Sequence, residues 1–204
     1  MLSRLRRANQ LGMAPDVQHG QPAVLPATRR ALDALADRSV VMVGLMGAGK
    51  TTVGRRLAAG LGLPFVDADQ EIEAAAGMTV SEIFESQGEE YFRDGERRVI
   101  ARLLAGEQKV LATGGGAFVD AETRELVRST SVSVWLRGEL SLLLRRVSRR
   151  VNRPLLKSNP QEVMERLIEE RYPIYREADI TVDSRDVPHE QIVEEIIAKL
   201  AERA

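Results

Sequence analysis

Apolar residues along the chain fall into two alternating patterns, short continuous runs and longer stretches with helical spacing. Ser39-Val40-Val41-Met42-Val43 is a short apolar run rich in β-branched residues and reads as a strand. Beyond it Val53, Leu57 and Leu61 recur every four residues, as the buried face of a helix beginning near Lys50 does, and Gly62 ends that helix. Leu63 to Val66 reads as a second strand, followed by a helix from Gln70 to Ala76 that Gly77 stops. Thr79-Val80-Ser81-Glu82 has the form of a capping box and opens a helix with a break near Gly88; the helical pattern then resumes to about Ala105. Further strands are expected at Lys109–Thr113, Ser131–Leu136 and Asp179–Val182. Helices are expected at Asp120–Val127, Glu139–Val147, Gln161–Tyr172 and Pro188–Leu200, with Val163, Leu167 and Ile168 facing the core in the third of these. This alternation predicts an α/β fold, an open and mostly parallel sheet with helices on both faces.

The N-terminal part departs from that rhythm. Residues 28–37 read as a short helix that Thr28, two residues after Pro26, could cap. Residues 1–27 read as an appendage, holding Arg4, Arg6 and Arg7 and a single acid, Asp16. Without an apolar central region this is not a secretory signal; its Arg-rich, acid-poor start resembles a mitochondrial presequence, but a disordered tail, or a start codon upstream of Met13, is the preferred reading.

Composition narrows the chemistry. A length of 204 residues suits one sizeable core, and 44% apolar with 29% charged residues is ordinary for a globular chain. No uninterrupted apolar run reaches membrane-spanning length. The net charge of −1 supplies no field for holding nucleic acid or an anionic membrane. Cysteine is absent, which excludes disulfides and thiolate chemistry and fits a cytoplasmic protein. The two histidines, His19 and His189, lie outside the motif regions, so a general base is expected to be a carboxylate.

Between the first strand and its helix runs Gly44-Leu45-Met46-Gly47-Ala48-Gly49-Lys50-Thr51, the GxxxxGKT pattern of a phosphate-binding P-loop. Glycines let successive backbone N–H groups turn inward, and the helix adds the positive end of its dipole. Lys50 can reach the β- and γ-phosphates and the Thr51 hydroxyl can ligate Mg²⁺, so ATP and Mg²⁺ are the expected cofactors.

Other candidates lie at the ends of the predicted strands. Asp67 and Asp69 follow the second strand, where ligands bind in open α/β sheets. Asp69 reads either as a helix cap or, beside a P-loop, as a metal ligand or base. Arg93 and Glu96 can pair on one helix face, which is ordinarily solvated surface. Gly114, Gly115 and Gly116 end the third strand and permit close backbone approach of a ligand, unless they form a plain turn. Arg145, Arg146, Arg149, Arg150 and Arg153 form an acid-free basic stretch, preferred here as a lid bringing charge to phosphates. Arg171 and Arg176 flank Tyr172-Pro173-Ile174-Tyr175.

At this point the chain resembles the shikimate kinase family over about residues 38 to 200. The likeness rests on GLMGAGKTTVGRRLA from Gly44, DADQEIE from Asp67, GEEYFRDGE from Gly88, LATGGGA from Leu111, NRPLL from Asn152 and ERYPIYREAD from Glu170, in family order and spacing. It implies the P-loop kinase fold, a five-stranded parallel sheet of order 2-3-1-4-5. It also implies ATP-dependent phosphorylation of the 3-hydroxyl of shikimate on the route to chorismate and the aromatic amino acids. Carried over by motif, Gly47, Ala48, Gly49, Lys50, Thr51 and Thr52 would hold the ATP phosphates, with Mg²⁺ on Thr51 and, through water, on Asp67. Asp69 would be the base and contact the shikimate hydroxyls. Arg93, steadied by Glu96, and Arg171 would clamp the shikimate carboxylate. Gly114, Gly115 and Gly116 would line the substrate, Arg153 would reach the phosphates from a lid at about residues 148–160, and Arg146 would stack near the adenine. The kinase domain would then be residues 38–204, behind an N-terminal extension of residues 1–37, partly disordered with a short helix, that the minimal family pattern lacks. A cytoplasmic monomer engaging neither nucleic acid nor membrane is expected. Three other readings compete: a gluconate kinase, a non-catalytic ATP-binding module and a nucleic-acid-binding ATPase, the last disfavoured by the net charge.

Overall fold

A computed structural model describes residues 26–148 and 159–204. Its five strands are β1 (Ser39–Val43), β2 (Phe65–Asp67), β3 (Val110–Ala112), β4 (Ser131–Gly138) and β5 (Ile180–Ser184). They form one parallel sheet of order β2-β3-β1-β4-β5. β1 is the central strand: Val41 lies opposite Leu111 of β3 and Ser133 of β4. All five of its residues are buried, as expected for a central parallel strand covered on both faces, whereas edge strand β5 alternates buried and half-buried positions.

The helices are α1 (Pro26–Leu35), α2 (Lys50–Leu61), α3 (Ala68–Ala76), α4 (Val80–Leu104), α5 (Ala121–Thr130), α6 (Leu140–Ser148), α7 (Pro160–Tyr175) and α8 (His189–Ala201). α2 and α8 pack together, with α1 laid on α8, and Ala31 and Leu35 of α1 are wholly buried in the main core. Across the sheet α5 packs on β4 and beside α4, while the 3-10 turn Ala117–Val119 contacts α4, α5 and α7. A smaller cluster of Ile72, Ile83 and Phe92 joins α3 to α4.

Three local expectations change. α1 starts at Pro26, with Thr28 a buried residue of its first turn rather than its cap. α3 starts at Ala68 and is capped by Asp67, which accepts the Asp69 N–H, so capping is not the work of Asp69. α7 runs through exposed Pro173 to Tyr175, one turn past the expected end. The expected break in α4 is at Gly88, where φ of 86° and ψ of 173° interrupt the helix, and the Thr79–Glu82 capping box is formed. The strand order reverses about β1, so the C-terminal ends of β1, β2 and β3 open onto one crevice.

Candidate active site

The crevice is a single cavity of about 410 Å³, within the size range of small-molecule sites. At one end stands the loop leaving β1. Gly49, at φ 96°, turns the chain directly into α2, and no side chain caps that helix. Lys50, Thr51 and Thr52 of the first turn line the cavity, so an anion there would meet the N–H groups that begin a helix. Lys50 Nζ donates to the Gly44 carbonyl at 2.7 Å and to the Leu45 carbonyl at 3.1 Å, which holds its charge at the loop mouth. Arg146 lines the same end; it donates to Ser184 Oγ at 2.8 Å and to the Arg185 carbonyl at 2.8 Å. Ser184 Oγ in turn donates to the Ala48 carbonyl at 2.8 Å, tying β5 to the loop.

The donor set suits Mg²⁺. Thr51 Oγ1 donates to Asp67 Oδ2 at 2.9 Å, which brings one hydroxyl and one carboxylate together beside the phosphate-binding turn. Among the described residues no group of three or more acids or histidines could hold a metal alone. Mg²⁺ needs none, since it keeps waters and takes substrate phosphates as ligands alongside one or two protein oxygens.

The other end is built from α3, α4, α7 and the glycine loop after β3. Asp69 stands in the first turn of α3, half-buried. Arg93 Nη1 donates to Glu96 Oε2 at 2.6 Å, and Glu96 is 2% exposed, so this pair is internal rather than a solvated one. Glu96 Oε1 is buried with no hydrogen-bond partner. Burial pushes the Glu96 carboxyl above its ordinary range; Arg93 pulls against this, while Asp69 and Asp120 add to it. Arg171 Nη1 donates to the Gly115 carbonyl at 3.0 Å. Arg93 lies against Gly116 so closely that a Cβ there would strike its guanidinium. Val80, Phe84 and Phe92 supply an apolar wall. The end as a whole offers two guanidinium groups, the carboxylates of Asp69 and Glu96 and an apolar face, groups that suit a small anion carrying hydroxyls.

Residues 46–201 match the family model described as Shikimate kinase. A shikimate kinase of Rhodopseudomonas palustris is 62% identical over 176 residues, 86% of this chain and 87% of that protein. The chain belongs to the shikimate kinase family. Shikimate kinase from Acinetobacter baumannii, solved in complex with shikimate, superposes with a TM-score of 0.77 at 40% identity, covering 82% of this chain and 94% of that one. A gluconokinase from Sinorhizobium meliloti gives a TM-score of 0.55 at 22% identity over 81% of this chain and 93% of its own, a likeness of fold alone.

In this shikimate kinase family member the residues expected from sequence line the cavity, with two exceptions. At the P-loop end Gly47, Gly49, Lys50, Thr51, Thr52 and Arg146 line the cavity, but Ala48 is buried within the loop, its carbonyl accepting from Ser184 Oγ. On the opposite side Asp69, Arg93, Gly114, Gly115, Gly116 and Arg171 line it, with Asp67 between the two ends. Arg153, with Arg149, Arg150 and nearly all of the expected lid, lies outside the described residues. The basic stretch is also less unpartnered than its sequence suggests, because Arg145 pairs with Asp186 at 3.0 Å. His189, set aside from sequence, lines the nucleotide end, where the Arg56–Glu190 ion pair at 3.1 Å fastens α8 to α2. Phe84, Phe92 and Val80 were legible as apolar positions but not as a binding wall.

Proposed function

We propose that this protein transfers the γ-phosphoryl group of ATP to the 3-hydroxyl of shikimate, on the route to chorismate and the aromatic amino acids. The observation that carries the proposal is one cavity with a phosphate-binding helix terminus at one end and Asp69, Arg93 and Arg171 at the other. Backbone groups of Gly47 to Thr52 hold the phosphates, and Arg146 meets the adenine. Arg93 and Arg171 clamp the substrate carboxylate, a planar anion that guanidinium groups bind bidentately. Gly114, Gly115 and Gly116 give the ring close backbone approach.

Asp69 takes the hydroxyl proton as the 3-oxygen forms its bond to the γ-phosphorus. The bond from that phosphorus to the β–γ bridging oxygen breaks, and its electron pair leaves with ADP. Lys50, and Arg153 from the lid, offset the charge that develops on the phosphoryl oxygens. Thr51 and, through water, Asp67 would hold Mg²⁺, which would supply positive charge to the phosphates. The proposal includes a cytoplasmic monomer; sedimentation of the purified protein tests the monomeric state.

The deciding assay couples ADP release to NADH oxidation, with shikimate, gluconate or no acceptor. Turnover with shikimate alone is expected. Turnover with gluconate refutes the carboxylate clamp, and ADP release without acceptor refutes a dedicated kinase.

A further inference from the structure

We infer that Tyr175 is a positioning residue for the acceptor site, holding the Gly115–Gly116 peptide so that Arg171 can exchange its contact there for a substrate carboxylate. The inference rests on the function proposed above.

Arg171 and Tyr175 are four residues apart on α7 and present the same face. Both donate to the Gly115 carbonyl, Arg171 through Nη1 at 3.0 Å and Tyr175 through its hydroxyl, and among the described residues these are its two donors. Tyr175 is wholly buried, with its ring edge-on to Trp135 at 5.9 Å. Burial pushes its phenol up to about 12, so it stays a donor at neutral pH. The next residue, Gly116, is the one against which the Arg93 guanidinium lies. One peptide therefore serves as the common reference for both arginines of the clamp.

Two donors on one carbonyl make sense if one must leave. An N–H that Arg171 gives to Gly115 is withheld from a carboxylate. With Tyr175 in place the carbonyl keeps a partner when Arg171 turns away. Without the hydroxyl, that movement would leave a half-buried carbonyl in the cavity wall with no protein donor. The loss would then appear on acceptor binding, because Arg171 still satisfies the carbonyl before the acceptor arrives.

The test is Tyr175→Phe, which keeps the ring and its packing against Trp135. In the coupled assay the KM for shikimate is expected to rise about fivefold, the cost of one hydrogen bond lost at a half-buried acceptor, with the KM for ATP within twofold. In an Arg171→Ala background the same change is expected to add less than twofold, since no arginine remains to be held back. A KM for shikimate within twofold of wild type, a parallel rise in both KM values, or an undiminished effect in the Arg171→Ala background overturns the inference. A lowered Tm with both KM values unchanged marks a purely structural tyrosine and also overturns it. Wild-type protein inert toward shikimate would overturn the functional proposal itself, a result distinct from all of these.

Discussion

A methyl group added at Gly114 would enter the gap between two carboxylates. Its ideal position lies 2.7 Å from Glu96 Oε1 and 2.9 Å from Asp69 Oδ1. Even a favourable C–H···O contact needs about 3.3–3.6 Å, so each oxygen must retreat by roughly half an ångström or more. The two acids are not equally able to do so. Glu96 is buried and tied to Arg93 at 2.6 Å, whereas Asp69 is only half-buried. Asp69 therefore yields, and Asp69 is the proposed base. A misplacement of about 1 Å at a reacting group can cost ~10²-fold. Gly114→Ala is thus expected to lower kcat between about 10- and 100-fold, or about 1.4–2.7 kcal/mol of barrier. ADP affinity should hold, because the nearest atoms an added Cβ meets at Gly114 belong to Glu96 and Asp69 and not to the phosphate loop.

The coupled assay with each substrate varied in turn gives kcat and both KM values, and titration calorimetry gives ADP binding. Gly95→Ala is the control, since a Cβ there meets nothing within 4 Å and the site is helical. It should leave turnover intact. A Gly114→Ala enzyme with kcat within threefold of wild type would refute the reasoning: either the carboxylates relax around the methyl or Asp69 does not need its observed place.

Asp69→Asn should lower kcat by roughly 10²–10⁴-fold with ADP binding unchanged, and a near-normal rate would remove it from the mechanism. Arg93→Ala should raise the KM for shikimate roughly 10- to 100-fold, read in the same assay. Raising the Tyr175 pKa from 10.0 to about 12 means the unfolded chain loses that proton first, so its share of stability declines as pH rises through that window. Tyr175→Phe should therefore flatten alkaline unfolding, by up to about 1.4 kcal/mol per pH unit, in denaturant titrations between pH 10 and 12. Deleting residues 1–25 should leave activity and Tm intact. Deleting 1–37 also strips Ala31 and Leu35 from α8 and should cost about 3 kcal/mol in the same titrations.

What the sequence made legible was local. The β1 run, the four-residue spacing along α2, the capping box at Thr79 and the break at Gly88 each depend on neighbours within a turn or two, and each is observed. Strand order came from family likeness, because periodicity carries no information about which strands are neighbours. The misjudged features depend on distant partners. α7 passes Pro173 because the ring is exposed and the turn beyond it is anchored by Tyr175 in the core. Arg93 and Glu96 read as a surface pair from spacing alone, whereas Glu96 is 2% exposed and lies against Gly114 of a loop distant in sequence. His189 enters the cavity only because α8 is fastened beside α2.

The pairing of Arg93 shows how an arginine already engaged can still accept an anion. Its guanidinium has two acidic neighbours of different character. Glu96, 2% exposed, takes Nη1 at 2.6 Å; Glu89, 67% exposed, takes Nη2 at 3.1 Å and Nε at 3.3 Å. A solvated i,i+4 pair of the second kind contributes only about 0.2–1 kcal/mol. In the proposed complex the substrate carboxylate takes the place of Glu89 at the Nε and Nη2 edge, a geometry suited to bidentate binding. Glu96 meanwhile keeps the opposite nitrogen and fixes the direction of the side chain. Burial, with Asp69 adding to it and Arg93 opposing it, holds the Glu96 carboxyl above its ordinary range, and the 2.6 Å ion pair keeps the direction of Arg93. The arginine is thus oriented by the acid it keeps and made available by the acid it gives up.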